Sequence, residues 1–366
     1  MPVYIHELPE WPNFSWDSAK LADRLAAVRH QQGRLIGRME GLGFSLQEEA
    51  VLQTLTRDVL KTAQIEGERL DAEQVRSSLA RRLGMDAGGL KPPDRNVDGL
   101  VEMMLDATRN YDHQLTADRV FGWHAALFPT GRSGMHEINV AAWRKGPMQV
   151  VSGRIGREHV HFEAPAAARL REETALFLEW FNAAKGPDPV LKAALAHLWF
   201  VTIHPFDDGN GRIARAVADM QLARSEVTSQ RFYSMSAQIQ KERGAYYEIL
   251  EGAQQGGMDV TTWMEWFLDC LSQAIEGAKE TLESVLAKAR FWESLARVSL
   301  NDRQRLVLSR VLDGFEGNLT TSKWAKIAKS SQDTALRDIL HLVEAGILAR
   351  NAEGGRSTSY SLTALR

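Results

Sequence analysis

The sequence predicts a mainly α fold with one β-hairpin near its middle and a winged helix-turn-helix at its C-terminal end. Three observations carry this. Apolar residues recur at three- and four-residue spacing through most of the chain, the amphipathic-helix pattern. Residues 130–163 break that pattern: they are Gly-rich, and the short β-branched runs MQVVS and HVHF lie about a turn apart, as in a hairpin. From residue 300 the order is LNDRQRLVLSRVL, TTSKWAKIAK, SQDTALRDILHLVEAGIL and then the Gly-containing ARNAEGGRSTSYSLTAL. Three helices followed by such a hairpin read as a helix-turn-helix with a wing.

The N-terminal residues 1–14 hold Pro2, Pro9, Pro12 and Trp11, so an extended arm is expected there. SAKLADRLAAVRHQQGRLIGRM reads as the first helix. SLQEEAVLQTLTRDVLKTAQI reads as the second, with Ser45 and Glu48 spaced as a capping box. DAEQVRSSLARRLG should start on Asp71 as N-cap and stop at Gly84. GGLKPPDRN (88–96) reads as a linker or long loop. A second helical block opens near residue 97 with VDGLVEMMLDATRNY and TADRVFGWHAALF, and helical patterns resume from Ala166 to about residue 290. The expected segments are a helical extension at 1–96, a central domain at 97–290 and the winged unit at 300–366.

Composition narrows the class. The chain has 366 residues, 44% hydrophobic and 25% charged, which is ordinary for a globular protein of two or three domains. A net charge of −3 argues against a generally nucleic-acid-binding surface and leaves room for a local basic patch. One Cys rules out an intramolecular disulfide and a Cys-rich zinc cluster, and Cys270 is expected in the core. With no apolar stretch near ~18 residues and no signal-peptide pattern, a soluble, cytoplasmic protein without a membrane partner is expected.

Chemistry concentrates in residues 204–215, HPFDDGNGRIAR, between the apolar run LKAALAHLWFVTI and the helical IARAVADMQLA. Gly209 and Gly211 allow backbone N–H groups to turn inward at a helix start, an anion nest. Arg212 and Arg215, three apart, reach the same end of that helix and offer forks suited to phosphate. Asp208 can hold Mg²⁺, which takes one or two carboxylates beside phosphate oxygens. His204, before Pro205, is a candidate general base. These parts suit a nucleotide polyphosphate, Mg²⁺ and a hydroxyl to deprotonate. The chain lacks the GxxxxGK[ST] P-loop and the HRD and DFG kinase signatures.

HPFDDGNGRIAR resembles, without a mismatch, the HxFx[DE]GNGRxxR signature of the Fic family, whose members typically transfer AMP from ATP to a protein hydroxyl. The resemblance implies a Fic-type helical core under a β-hairpin flap. It implies that His204 deprotonates a Ser, Thr or Tyr hydroxyl, that Phe206 anchors the loop, and that Asp208 binds Mg²⁺ bridging the α- and β-phosphates. Gly209, Asn210, Gly211 and Arg212 would cradle the phosphates, and Arg215 would meet the γ-phosphate. The hairpin resembles the family's flap, with Val150, Val151, Ser152 and Gly153 facing the nucleotide and an extended target segment added as a strand. RGAYYEILEGAQQG resembles the downstream helix whose Tyr246, Tyr247 and Gln254 would border the nucleoside; an aromatic pair on a helix also fits an ordinary core. His159 and His161 alternate on one strand face and suggest a metal pair, but with no third ligand nearby they read as flap residues.

KTAQIEGERL carries Thr62, Glu66 and Gly67 and fits [ST]xxxE[GN], the family's inhibitory-helix motif. Glu66 could pair bidentately with Arg215 and withhold it from the γ-phosphate. The expectation is therefore an autoinhibited, Mg-ATP-dependent protein adenylyltransferase that also modifies itself. Two alternatives stay open: a DNA-binding regulator with a nucleotide-sensing Fic core, and a Fic enzyme that removes AMP or transfers another phosphorylated group. Expected partners are ATP and a protein hydroxyl in an extended segment. DNA, through Lys323, Lys326, Lys329 and Arg337, and a second copy of the chain are open partners.

Overall fold

The computed structural model describes residues 3–85, 91–154, 157–296, 298–312, 317–351 and 358–363. Residues 88–90 of the expected linker, residues 155–156 of the expected central hairpin and residues 352–357 and 364–365 of the expected C-terminal hairpin lie outside these. The chain forms two compact units, 1–282 and 283–366.

The helices are α1 (Ser18–Glu40), α2 (Phe44–Ile65), α3 (Ala72–Leu83), α4 (Arg95–Arg109), α5 (Ala117–Leu127), α6 (Leu170–Asn182), α7 (Pro189–Ile203), α8 (Asn210–Glu226), α9 (Met235–Lys241), α10 (Arg243–Gln254) and α11 (Thr261–Ser294). A two-residue pair, β1 (Arg132–Ser133) and β2 (His136–Glu137), precedes the hairpin β3 (Gln149–Arg154) and β4 (Arg157–Glu163). The hairpin is antiparallel and bulges between Val150 and Val151.

Local signals set the ends. Asp71 caps α3, accepting from the N–H groups of Glu73 and Gln74, and Gly84 closes it in the left-handed region. The expected capping box on α2 is corrected: the helix starts at Phe44 behind Gly43, which makes no side-chain cap bond, so Ser45 already lies inside. The arm is not simply extended, because residues 5–7 make a 3₁₀ turn with Ile5 fully buried.

α7 is the axis of the first unit. Asp188 caps it, Pro189 sits in its first turn, and residues 190–203 are all buried. A helix apolar on every face must be surrounded, and α8 packs along it. Truncating a residue such as the buried Phe200 to Ala would cost about 3–5 kcal/mol. Cys270 is buried on α11, as expected of a small core residue. α2 packs on α9 and α3, while α4 packs on α5 and α8. Asp58 of α2 accepts from Ser234 Oγ and from the Ser236 N–H, a buried anchor between the N-terminal helices and the α9 region.

The second unit contains α12 (Asp302–Leu312), β5 (Leu319–Thr320), α13 (Thr321–Ile327), α14 (Gln332–Glu344), β6 (Leu348–Arg350) and β7 (Ser359–Leu362). Its sheet has the order β5-β7-β6, and its core gathers Trp324, Val307, Ile339 and Leu342. Lys326, Lys329 and Arg337 are exposed and Lys323 is half-buried. Leu336 and Leu340 of α14 are exposed as well.

Candidate active site

α7 ends because His204 turns into the left-handed region, at φ 49°, and Pro205 follows. Neighbouring contacts hold this uncommon backbone. The His204 carbonyl accepts from Arg144 Nε at 2.8 Å, and the Pro205 carbonyl accepts from the Arg144 N–H at 2.9 Å. Arg144 is buried and gives its remaining donors to the carbonyls of Gly146 and Pro165. Sequence reasoning missed it, since WRKG carries no motif.

His204 Nδ1 lies 3.0 Å from the Val201 carbonyl. A carbonyl only accepts, so Nδ1 carries the proton and Nε2 keeps its lone pair. Burial lowers the imidazole's pKa, against the bond to Val201. His204 is thus set up as a base.

The loop that follows is pinned from below. Phe206 is fully buried, stacked on His124 with ring centroids 4.1 Å apart. Asn210 clamps it, donating Nδ2 to the Phe206 carbonyl and accepting the Phe206 N–H through Oδ1, each at 2.9 Å. His124 takes the Ala141 N–H on Nδ1 and donates Nε2 to the Asp208 carbonyl, and burial pushes its pKa down to about 4. Gly209 caps α8 at φ 82°, where a Cβ would also strike Phe128 at 2.9 Å. The first-turn N–H groups of a helix have no intrahelical partner. Gly209, Asn210 and Gly211, where α8 begins, line a cleft of about 520 Å³.

Around this cleft the structure gathers most of the sequence-predicted residues. His204 and Asp208 line it, as do Val150, Val151 and Ser152 of the hairpin. Tyr246, Tyr247 and Gln254 come from α10. Tyr246 is 1% exposed, with its hydroxyl on His197 Nε2 at 3.0 Å, and burial raises its pKa. Tyr247 is half-open, beneath the Arg243 guanidinium. Gly153 lies further along β3 at φ 106°, outside the cleft lining.

Arg212 and Arg215 are also outside the lining, while Glu66 is part of it. Arg215 is 3% exposed, and Nη2 lies 2.7 Å from Glu66 Oε1. The expected bidentate pairing is corrected. Arg215 Nε donates instead to Thr62 Oγ1 at 2.7 Å, and Nη2 also reaches the Thr62 carbonyl at 3.1 Å. Burial works against the charged guanidinium, but Glu66 facing it leaves its pKa above the ordinary value. Gly211 makes room for this approach, since a Cβ there would come within 2.3 Å of Glu66 Oε1.

A second carboxylate went unforeseen. Both Glu68 oxygens lie 3.1–3.2 Å from Arg212 Nη1. Gly67 explains how one helix end supplies both acids. At φ 83° it is the left-handed residue of a Schellman turn: the Gly67 N–H bonds to the Gln64 carbonyl and the Glu68 N–H returns to Ala63. The alternating acids of IEGE are the signal that could have found it.

A second correction concerns His159 and His161. They do have a third potential ligand: Glu251 of α10, distant in sequence, brings a carboxylate oxygen within 4.8 Å of a ring nitrogen of each.

Fold and site together define the class: mainly α, with a Fic-type core beneath a β-hairpin. Residues 114–222 match the model of the Fic/DOC family, and residues 4–85 match a domain of unknown function (DUF4172). The chain is 26% identical over 238 residues to "Protein adenylyltransferase Fic" of Culex quinquefasciatus, covering 63% of this chain and 42% of that protein. It is 25% identical over 197 residues to "Protein adenylyltransferase fic-1" of Caenorhabditis briggsae, covering 49% and 35%. The chain thus spans less than half the length of these curated relatives. Among solved structures, a Fic family protein from Desulfovibrio desulfuricans G20 shares the fold at 19% identity and a TM-score of 0.51, covering 94% of this chain and 97% of that one.

Proposed function

We propose that this protein is an autoinhibited adenylyltransferase that moves AMP from ATP to a Ser, Thr or Tyr hydroxyl of a protein, itself included. The observation that carries the reading is the pairing of Arg215 with Glu66. A phosphate-type arginine is built into the site and held off the cleft by the residue that the inhibitory motif places there.

In the active state the α8 N-terminus and the two arginines take the triphosphate. His204 Nε2 accepts the proton of the target hydroxyl. The hydroxyl oxygen attacks the α-phosphorus, and the bond to the β-phosphate oxygen breaks to release pyrophosphate. The β3–β4 hairpin offers backbone groups to an extended target segment. Asp208 suits Mg²⁺: its carboxylate is half-exposed toward the cleft and fixed by the Ser133 hydroxyl and the Gly209 N–H. When bound there, the ion neutralises phosphate charge. Glu66 on Arg215 would leave the γ-phosphate unanchored, so the α-phosphate is not aligned with the hydroxyl.

The test is parallel incubation with ATP labelled at the α- or the γ-phosphate. Only the α-label should become protein-bound, and His204→Ala should lower incorporation at least ~10²-fold while nucleotide still binds. Incorporation of γ-label, or wild-type transfer by His204→Ala, overturns the reading.

We take residues 300–366 as a winged helix-turn-helix, supported by α13–α14 and the β5-β7-β6 sheet. DNA remains its second reading, supported by exposed Lys326, Lys329 and Arg337. Duplex binding that weakens steeply with salt would support it.

A further inference from the structure

We propose that His159, His161 and Glu251 form a binding site for one first-row transition-metal ion of the zinc type, which ties the β3–β4 hairpin to helix α10. Two imidazoles and a carboxylate are a donor set that Zn²⁺ takes with a fourth position left for water or another oxygen. Mg²⁺ and Ca²⁺ prefer oxygen throughout, so this set discriminates against the ion suited to Asp208.

The geometry supports a site rather than a chance meeting. His159 and His161 are two apart on β4, with His161 the extra residue of the bulge, and their rings meet edge to face with centroids 4.6 Å apart. Glu251 approaches from α10, and one ligand atom from each residue lies within 4.8 Å of the others. Tetrahedral zinc with bonds of about 2.1 Å places its ligand atoms about 3.4 Å apart. The His161 Nδ1 to Glu251 Oε2 distance of 2.8 Å therefore opens slightly on binding, and the other separations, all within 4.8 Å, adjust to the same length.

The surrounding groups orient these ligands, as outer-shell partners do in metal sites. Gln255 Nε2 donates to Glu251 Oε1 at 3.1 Å and to the His161 carbonyl at 2.8 Å, fixing the acid and the strand together. Ser152 Oγ lies 2.6 Å from His161 Nε2, the ring nitrogen turned away from Glu251, and so holds the ring with Nδ1 toward the acid. Ser152, His161 and Glu251 also line the cleft, so a bound ion would stiffen its wall. The strand that carries both histidines would then lose mobility relative to α10.

The experiment uses the tag-free full-length protein, dialysed against chelator and then held in excess Mg²⁺. Calorimetry with Zn²⁺ and visible absorption with Co²⁺ report binding. The expected result is one equivalent of Zn²⁺ with Kd below about 10 µM. Binding should weaken at least ~10-fold in each of His159→Ala, His161→Ala and Glu251→Gln, since even outer-shell losses cost that much. His30→Ala, at an exposed distant histidine, should bind as wild type does. Zn²⁺ should also slow amide exchange in β4 of the wild type. Glu251→Gln keeps the side chain's shape, and unchanged circular dichroism will show that it folds. Absence of stoichiometric binding, or binding that survives His161→Ala, overturns the proposal and leaves Ser152, His161 and Glu251 as a hydrogen-bonded network alone.

Discussion

Replacing Glu66 with Gly removes the carboxylate that holds Arg215, and the size of the effect follows from the contact it breaks. The pair is close, at 2.7 Å, with side chains 3% and 29% exposed, so solvent screens it little. A charge-assisted hydrogen bond of this kind contributes about 1.5–3 kcal/mol. Arg215 would still hold both Thr62 contacts, which limits its release. We therefore expect the lower end, a gain in AMP transfer of at least ~10-fold, equivalent to about 1.4 kcal/mol. Glu68 makes a useful comparison. Its side chain is 48% exposed, so its pair with Arg212 belongs with surface ion pairs of about 0.2–1 kcal/mol. Glu68→Ala should raise transfer no more than ~5-fold, and added salt should erase that gain first. The assay is α-label incorporation by wild type, each single variant, and Glu66→Gly combined with Arg215→Ala. The combination should lose most of the gain. Equal activity of wild type and Glu66→Gly refutes the inhibitory pairing. A larger effect of Glu68→Ala than of Glu66→Gly refutes the ranking by burial.

Acid should destabilise the first unit through two buried histidines. Burial lowers His197 to about 3, with Arg215 adding to the shift, and His124 to about 4. Below about pH 6.5 the unfolded chain binds these protons and the folded chain does not. Stability is thus complete above about pH 6.5 and falls by about 1.4 kcal/mol per pH unit for each histidine as pH drops toward 4. Urea unfolding at several pH values checks this, and His197→Asn should reduce the slope. Gly99→Ala should destabilise by at least about 1–3 kcal/mol, because the added Cβ would lie 1.7 Å from the Ala126 carbonyl oxygen where α4 crosses α5. An unchanged melting point for Gly99→Ala would contradict that packing.

The fold, and the gathering of several candidate residues at one cleft, were legible where local chemistry decides them. Asp71 and Gly84 bound α3 because a cap and a left-handed stop act within a few residues. The turn that carries His204 and Asp208 to the cleft was legible because consecutive residues supply a histidine, an acid and two glycines at the start of α8. What stayed hidden depends on pairings across the chain. Glu251 completes a cluster with residues some ninety positions earlier, and no periodicity reports that. Arg144 pins His204 by donating to carbonyls, which any sequence offers. The bidentate expectation for Glu66 failed because Thr62, one helical turn back, takes the second face of the guanidinium. The start of α2 was misplaced because Gly43 serves as a cap without a side chain.

The Schellman turn at Gly67 also shapes how a nucleotide would meet this site. The C-terminal end of α2 carries partial negative charge, and Glu66 and Glu68 add two acids beside the positive end of α8. In effect the protein holds its own counter-anion, a tethered stand-in for phosphate charge. The cleft lining is itself acidic, with Asp207, Asp208, Glu248 and Glu251 beside Glu66 and with Arg243 as counter-charge. An arriving polyphosphate would therefore meet no open positive funnel to speed its approach. Withdrawing the end of α2 would take Glu66 and Glu68 away and uncover both arginines, so one movement would lessen the repulsion of an arriving polyphosphate and free the groups suited to hold it.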